Sequence, residues 1–218
     1  MDNELKLIFT LVICAVPAYV LGSVNGAIIA SISIYRKDIR EYGSGNPGLT
    51  NFYRVFGKGG AILVVLIDAA KSLAPVLLGG YLFGRYFDMQ LFGREITGLF
   101  VLIGHCFPVF YKFHGGKGIM AAGTILIVVD WRLAIISWGL FIVITAATKL
   151  VSLASIIGVA AFPVFQIVFR LGGAREYIVA IVCAALVIAR HHANVGRLLR
   201  GEEQKMDFSH SDNRGSET

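Results

Sequence analysis

Apolar residues run along this chain in long unbroken blocks, with neither the alternation of a half-buried strand nor the stripe of a surface helix. From Leu5 to Tyr35 only Lys6 carries a charge, and about 20 helical residues cross the roughly 30 Å of a hydrocarbon core. Further blocks follow at Gly60 to Phe83, Ile96 to Tyr111, Ile119 to Val129, Leu133 to Ala147, Leu150 to Phe169 and Tyr177 to Ala189. The pattern predicts an all-α membrane protein, a seven-transmembrane-helix bundle joined by short loops. The block from Ile119 to Val129 is too short to cross unless it borrows flanking residues or the bilayer thins, so six spans is the alternative count. Pro17, Pro75 and Pro163 fall inside blocks and are expected to kink them.

Composition agrees. Of 218 residues 56% are apolar and 16% charged, with a mean hydropathy of +0.71, values that exclude disorder, a coiled coil and a small disulfide scaffold. Cys14, Cys106 and Cys183 all lie in apolar surroundings. A cleaved signal peptide is the competing reading of the first block, but Asp2 and Glu4 stand where a basic start is needed.

The net charge of +6 is explained by placement, and a nucleic-acid partner is not expected. With seven spans, thirteen Lys and Arg fall on one side: Arg36, Lys37, Arg40, Arg54, Lys58, Lys112, Lys117, Lys149, Arg190, Arg197, Arg200, Lys205 and Arg214. Six fall on the other: Lys6, Arg85, Arg94, Arg132, Arg170 and Arg175. Lys71 sits within the second block. The positive-inside rule puts the richer side in the cytoplasm, the N-terminus outside and the C-terminus inside. Residues 1–200 read as a single integral membrane domain, and 201–218 as a polar cytoplasmic tail.

Three segments on the basic side carry candidate chemistry. Gly43-Ser44-Gly45-Asn46-Pro47-Gly48-Leu49-Thr50-Asn51, followed by Arg54, contains G-x-G-x-x-G without the βαβ context of a dinucleotide site. Its glycines still suit backbone contact with a phosphate. The second segment, Gly104 to Gly118, ends His114-Gly115-Gly116-Lys117-Gly118. It lacks the Walker G-K-S/T order, but it offers bare backbone and a point charge. In the third, Arg190 to Glu203, helical spacing would set His191, Asn194 and, more loosely, Arg197 on one face.

Taken together, GSGNPGLTN with Arg54, GHCFPVFYKFHGGKG, KLVSLASI and RHHANVGRLLRGEE resemble the motifs of the PlsY family. These are the acylphosphate-dependent glycerol-3-phosphate acyltransferases of bacterial inner membranes. The resemblance runs in order from the first helix to Glu203. It implies transfer of a fatty acyl group from acyl phosphate to the 1-hydroxyl of glycerol 3-phosphate, giving lysophosphatidate and phosphate. The implied fold is a seven-helix bundle with its site at the cytoplasmic membrane surface.

By motif position the resemblance implies catalytic roles for Ser44, Lys117, His191 and Asn194. Phosphate binding would fall to Gly43, Gly45, Asn46, Arg54, Gly116, Lys117, Ser155 and Arg197. Ser152 and Ser155 stand one turn apart, and Ser155 is preferred. The chain departs from the family at Leu49, usually Ala, and at Arg190-His191-His192. Neither departure touches the reaction.

Two phosphates and a hydrocarbon chain need a site that is part basic and part apolar. Arg54 suits a bidentate grip and Lys117 a point contact, and Phe52, Phe107, Phe110 and Phe113 are candidates to guide the acyl tail. Acyl phosphate is an activated mixed anhydride, so positioning can supply much of the acceleration, roughly 7 kcal/mol or more. The base is either His191 or a phosphate oxygen of the acceptor. H-x-x-x-x-D and G-x-S-x-G are both missing, and no zinc spacing occurs. No cofactor or metal is expected. The expected partners are the two substrates and membrane lipid, with the chain a monomer.

Asp68 and Lys71 are spaced to neutralise each other inside the bundle, and Ser23 and Asn25 beside Gly22 and Gly26 read as close helix contacts. Scaffold roles are expected for all four. A small anion transporter and a noncatalytic lipid-binding subunit are the alternative classes. Gathering of polar residues at one membrane face, away from the midplane, speaks against the first.

Overall fold

A computed structural model describes residues 2–207, and every regular element among them is helical. The first apolar block forms α1 (Asn3–Gly22) and α2 (Gly26–Tyr35). After a loop come the short α3 (Leu49–Phe56) and the long α4 (Ala61–Phe87). Then follow α5 (Gln90–Cys106), α6 (Ile119–Val129), α7 (Trp131–Thr148), α8 (Val151–Val168), α9 (Ala174–Ala189) and α10 (His192–Leu199).

Each of the seven apolar blocks therefore folds as helix. The expectation of seven spans is met only in part. Asn3–Tyr35, Ala61–Phe87, Trp131–Thr148 and Val151–Val168 are long and apolar enough to cross a membrane, and α9 with α10 adds a fifth when taken as one bent span. At about 1.5 Å per residue α6 reaches only about 16 Å. It ends at Asp130, whose carboxylate accepts the Arg132 amide and starts α7. The third block is also displaced: α5 begins early, taking in Arg94 and Glu95, and stops at Cys106 because Pro108 follows. Helices run on through Pro17, Pro75 and Pro163.

Glycines set how closely the helices approach. A Cβ at Gly22 would strike the Val101 backbone of α5, and one at Gly104 the Tyr19 carbonyl of α1. Gly79 and Gly93 bring α4 and α5 together in the same way. The apolar core is built around Val101, Leu102, Ile125, Leu126, Leu133, Phe162 and Val187.

Two breaks in helices shape the functional end. Between α1 and α2, residues Ser23, Val24 and Asn25 leave the helix, freeing backbone groups inside the bundle that must find partners. The Asp68 carboxylate accepts the Gly26 amide at 3.2 Å, and Lys71 donates to the Val24 carbonyl. The Asp68–Lys71 pair, 2.8 Å apart and buried, therefore caps the two broken ends. The other break separates α9 from α10 by a 61° bend, so the helical turn that carries His191, Asn194 and Arg197 starts afresh, with the His191 carbonyl accepting the Val195 amide, and does not continue the last apolar block. His191 sits in the bend before α10.

Candidate active site

The broken first block anchors both glycine loops. Asn25 caps α2 by accepting the Ile28 amide, and its own amide donates to the Pro47 carbonyl at 3.0 Å. Ser23 accepts the Val109 amide, while the Tyr19 hydroxyl donates to the Phe107 carbonyl. Ser23 and Asn25 thus serve as posts for the loops, in addition to the close packing that their glycine neighbours provide.

In the first loop, Gly43 and Gly45 adopt left-handed backbone, a conformation glycine takes at no steric cost. Buried Asn51 ties the turn together, accepting the Ser44 amide at 2.9 Å and donating to the Tyr42 carbonyl at 3.0 Å. A Cβ on Gly43 would collide with that Asn51 side chain. In the second loop, Arg190 donates to the Gly116 and Gly115 carbonyls and lies 5.1 Å over the Phe107 ring. Five donors in a planar fork allow one side chain to hold two carbonyls and stack on a ring.

These loops close around a cavity of about 170 Å³ lined by Ser44, Asn46, Arg54, Lys117, Ser155, His191 and Asn194. The first turns of α3, α6 and α8 also line it, through Leu49 and Thr50, Ile119 and Met120, and Val151 and Ser152. Free amides at helix N-termini favour an anion.

Gly43 and Gly116 shape backbone next to the cavity. Gly45 and Arg197 face a wider outer basin of about 620 Å³, which shares Ser44, Asn46, Lys117 and Asn194 with the inner cavity. On its other side the cavity shares Leu49, Thr50, Phe141 and Val151 with an apolar groove of about 390 Å³, bordered by Ile62 and Leu66 on the outer face of α4. Trp138 and Phe141 continue it into a smaller slot between α6, α7 and α8. The site therefore has a basic end and an apolar end. Phe52 guides nothing: it is fully buried against Tyr35 and Phe56. Phe107, Phe110 and Phe113 are exposed.

The expected tail begins as part of the site. Glu203 bridges Asn194 and Arg197, each at 2.7 Å, and Gln204 accepts from Arg54 through its side chain and its carbonyl. Met206 is buried, with its amide on the Lys149 carbonyl. The polar composition of 201–218 concealed this return. Residues 208–218 of that tail lie outside the described residues.

Electrostatics follow from burial. The Lys117 ammonium donates to Asn194 Oδ1 at 2.6 Å. Burial lowers its pKa to about 8, Glu203 opposes that shift, and Arg197, Arg54 and Arg190 add to it. Burial also draws Arg54 down, against the pull of Glu203. Glu203 is held below the ordinary carboxylate value despite burial, by its bonds from Asn194 and Arg197. His191 falls to about 4, chiefly through burial, although its bond to the Val187 carbonyl works the other way. That 2.8 Å contact places the ring proton on Nδ1, leaving Nε2 as a bare acceptor at neutral pH. Ser155 donates back to the Val151 carbonyl at 2.7 Å, so its oxygen lone pairs are what it offers the cavity.

Asp68, expected from the sequence to be scaffold, and His105, which the sequence left without a role, also line the cavity. A charged residue within an apolar block was the available signal for Asp68.

The family model for glycerol-3-phosphate acyltransferase matches residues 12–201. The chain belongs to that family. A glycerol-3-phosphate acyltransferase from Thermoanaerobacter pseudethanolicus is 37% identical over 195 residues, covering 89% of this chain and 95% of the relative. One from Ralstonia pickettii is 36% identical over 197 residues, covering 89% and 93%. Among solved structures, the glycerol 3-phosphate form of PlsY (YgiH), an integral membrane glycerol 3-phosphate acyltransferase, matches with a TM-score of 0.80. It is 33% identical and covers 90% of this chain and 96% of that one. The lysophosphatidic acid form of PlsY (YgiH) gives 0.78 at 31% identity, with 90% and 95% covered.

Proposed function

We propose that this PlsY-family acyltransferase moves a fatty acyl group from acyl phosphate to the 1-hydroxyl of glycerol 3-phosphate, releasing lysophosphatidate and inorganic phosphate. One observation carries the reading: a cavity whose cations and helix N-termini face water on one side and whose apolar wall opens between helices on the other. The hydroxyl oxygen attacks the acyl carbon, the carbon–oxygen bond to phosphate breaks, and the hydroxyl proton ends on phosphate. Lys117, Arg54 and the first-turn amides of α3 hold the phosphoryl groups. Ser44, Asn46 and Ser155 supply neutral contacts, and Arg197 and Asn194 complete the outer wall.

His191 Nε2 accepts from the acceptor hydroxyl and orients it. A pKa of about 4 makes it a weak base, so the acceptor's own phosphate is the better final proton store. The chain acts as a monomer without cofactor or metal, multi-pass in a bacterial inner membrane through seven spans. Its N-terminus lies outside and its C-terminal tail after residue 200 in the cytoplasm. An anion transporter would use the intramembrane Asp68 and Lys71 as a substrate path, and their commitment to backbone caps weighs against that class.

Purified protein in detergent, given glycerol 3-phosphate with either acyl phosphate or acyl coenzyme A, tests the donor. Lysophosphatidate, measured by mass spectrometry, should form with acyl phosphate. Product from acyl coenzyme A alone overturns the proposal.

A further inference from the structure

His105, in the last turn of α5, lines the cavity and is nearly fully buried. Its Nδ1 lies 2.8 Å from Lys71 Nζ. An ammonium has three protons to donate and no lone pair to accept with. Lys71 meets three acceptors: Asp68 Oδ1, the Val24 carbonyl and His105 Nδ1. With Asp68 as counter-ion the match of donors to acceptors is complete, and the imidazole must carry its proton on Nε2.

That nitrogen has no hydrogen-bond partner among the described residues. It faces Gly116, where a Cβ would land on Nε2 itself. The adjoining backbone is closed off: the Gly116 amide is already on the His105 carbonyl, and Arg190 takes the Gly116 carbonyl. The missing side chain at Gly116 therefore leaves a neutral N–H donor at the floor of an anion-sized cavity, beside Lys117.

We propose that Lys71 and Asp68 fix His105 as an Nε2–H donor that binds a phosphoryl oxygen of a substrate at the cavity floor. The inference rests on the acyltransferase reading and adds a binding residue to it. It also gives the intramembrane pair a second task, since the side chains that cap the broken first block also set the tautomer of a site residue.

The test pairs kinetics with spectroscopy on the full-length protein in detergent. His105→Gln keeps an amide donor close to the Nε2 position, whereas His105→Ala removes it. Loss of one hydrogen bond to a charged oxygen is expected to raise the KM for glycerol 3-phosphate or for acyl phosphate about tenfold or more. His105→Gln should recover most of that loss, and the substrate affected shows which phosphate is held. In protein labelled with ¹⁵N-histidine, the His105 signals, assigned by their absence in His105→Gln, should show a protonated Nε2 and a bare Nδ1. Inorganic phosphate should shift the Nε2 resonance.

A protonated Nδ1, no response to phosphate, or a folded His105→Ala protein with both KM values unchanged overturns the inference. If wild-type protein makes no lysophosphatidate, the functional reading fails separately. The tautomer and its response to phosphate still decide the role of His105.

Discussion

Lys117 should give the enzyme an alkaline limb that can be told apart from unfolding. Its pKa is lowered to about 8 by burial, with further lowering from Arg197, Arg54 and Arg190. Free enzyme then has about nine-tenths of Lys117 charged at pH 7 and about one-tenth at pH 9. Phosphate monoesters are already doubly ionised over that range, so kcat/KM is expected to fall about tenfold with a midpoint near 8. Stability should move the other way. The folded-state pKa lies below the ordinary 10.5, so between the two values the unfolded chain binds more protons and stability rises with pH. The rise through this one group by pH 9.5 is roughly 1 to 2 kcal/mol after allowing for partial solvent screening. Initial rates and thermal unfolding across pH 6.5 to about 9.5 provide the comparison, with Lys117→Arg as the control that holds its charge and flattens the limb. A flat wild-type profile, or activity and melting temperature falling together, refutes the assignment of Lys117 as the titrating phosphate contact.

The strap, the clamp and the intramembrane pair each give a further expectation. Glu203→Gln removes the carboxylate beside Arg197, Arg54 and Lys117. Its alkaline limb should move to lower pH and its stability should drop by about 1 to 3 kcal/mol, read by the same two assays. Arg190→Lys keeps the charge but loses the planar fork that holds Gly115 and Gly116. KM for the phosphate substrates should rise about tenfold while the protein still elutes as a folded species. Asp68→Leu leaves a buried ammonium unpaired at a cost of about 3 to 5 kcal/mol, seen as lost monodispersity in size-exclusion chromatography. Adding Lys71→Met should restore only part of it, because the Gly26 amide and Val24 carbonyl stay uncapped. Full recovery in the double variant would show that the pair is merely neutralised charge.

Spacing in the sequence revealed what depends on composition and missed what depends on breaks. The apolar blocks announced the helices, and the glycine runs announced the two loops that frame the cavity. Hydropathy carries no mark of a helix that stops and restarts within one apolar block, so Ser23 to Asn25 read as continuous span. The 61° bend at His191 was equally hidden, since Arg190-His191-His192 reads as the end of a helix. Glu203 and Gln204 were read as tail because acidic and amide residues after a basic stretch look solvated. Only tertiary folding shows that they return to Arg197, Asn194 and Arg54.

The breaks explain why the site lies where it does. A continuous first helix would present no free carbonyl at Val24 and no free amide at Gly26, and a buried Asp–Lys pair would then have only itself to satisfy. Interrupting the helix gives the pair backbone partners, and the same interruption turns Ser23 toward Val109 and Asn25 toward Pro47. Three residues thus connect an intramembrane ion pair to both glycine loops. Straightening this segment should cost activity through loop placement even where every cation of the cavity is retained. Asn25→Leu separates these effects: it removes the α2 cap and the Pro47 bond while leaving Arg54, Lys117 and His191 in place. Its kcat/KM should fall by tenfold or more for about 1 to 2 kcal/mol of lost stability. A variant that keeps full activity after losing that stability would show that the break is packing alone.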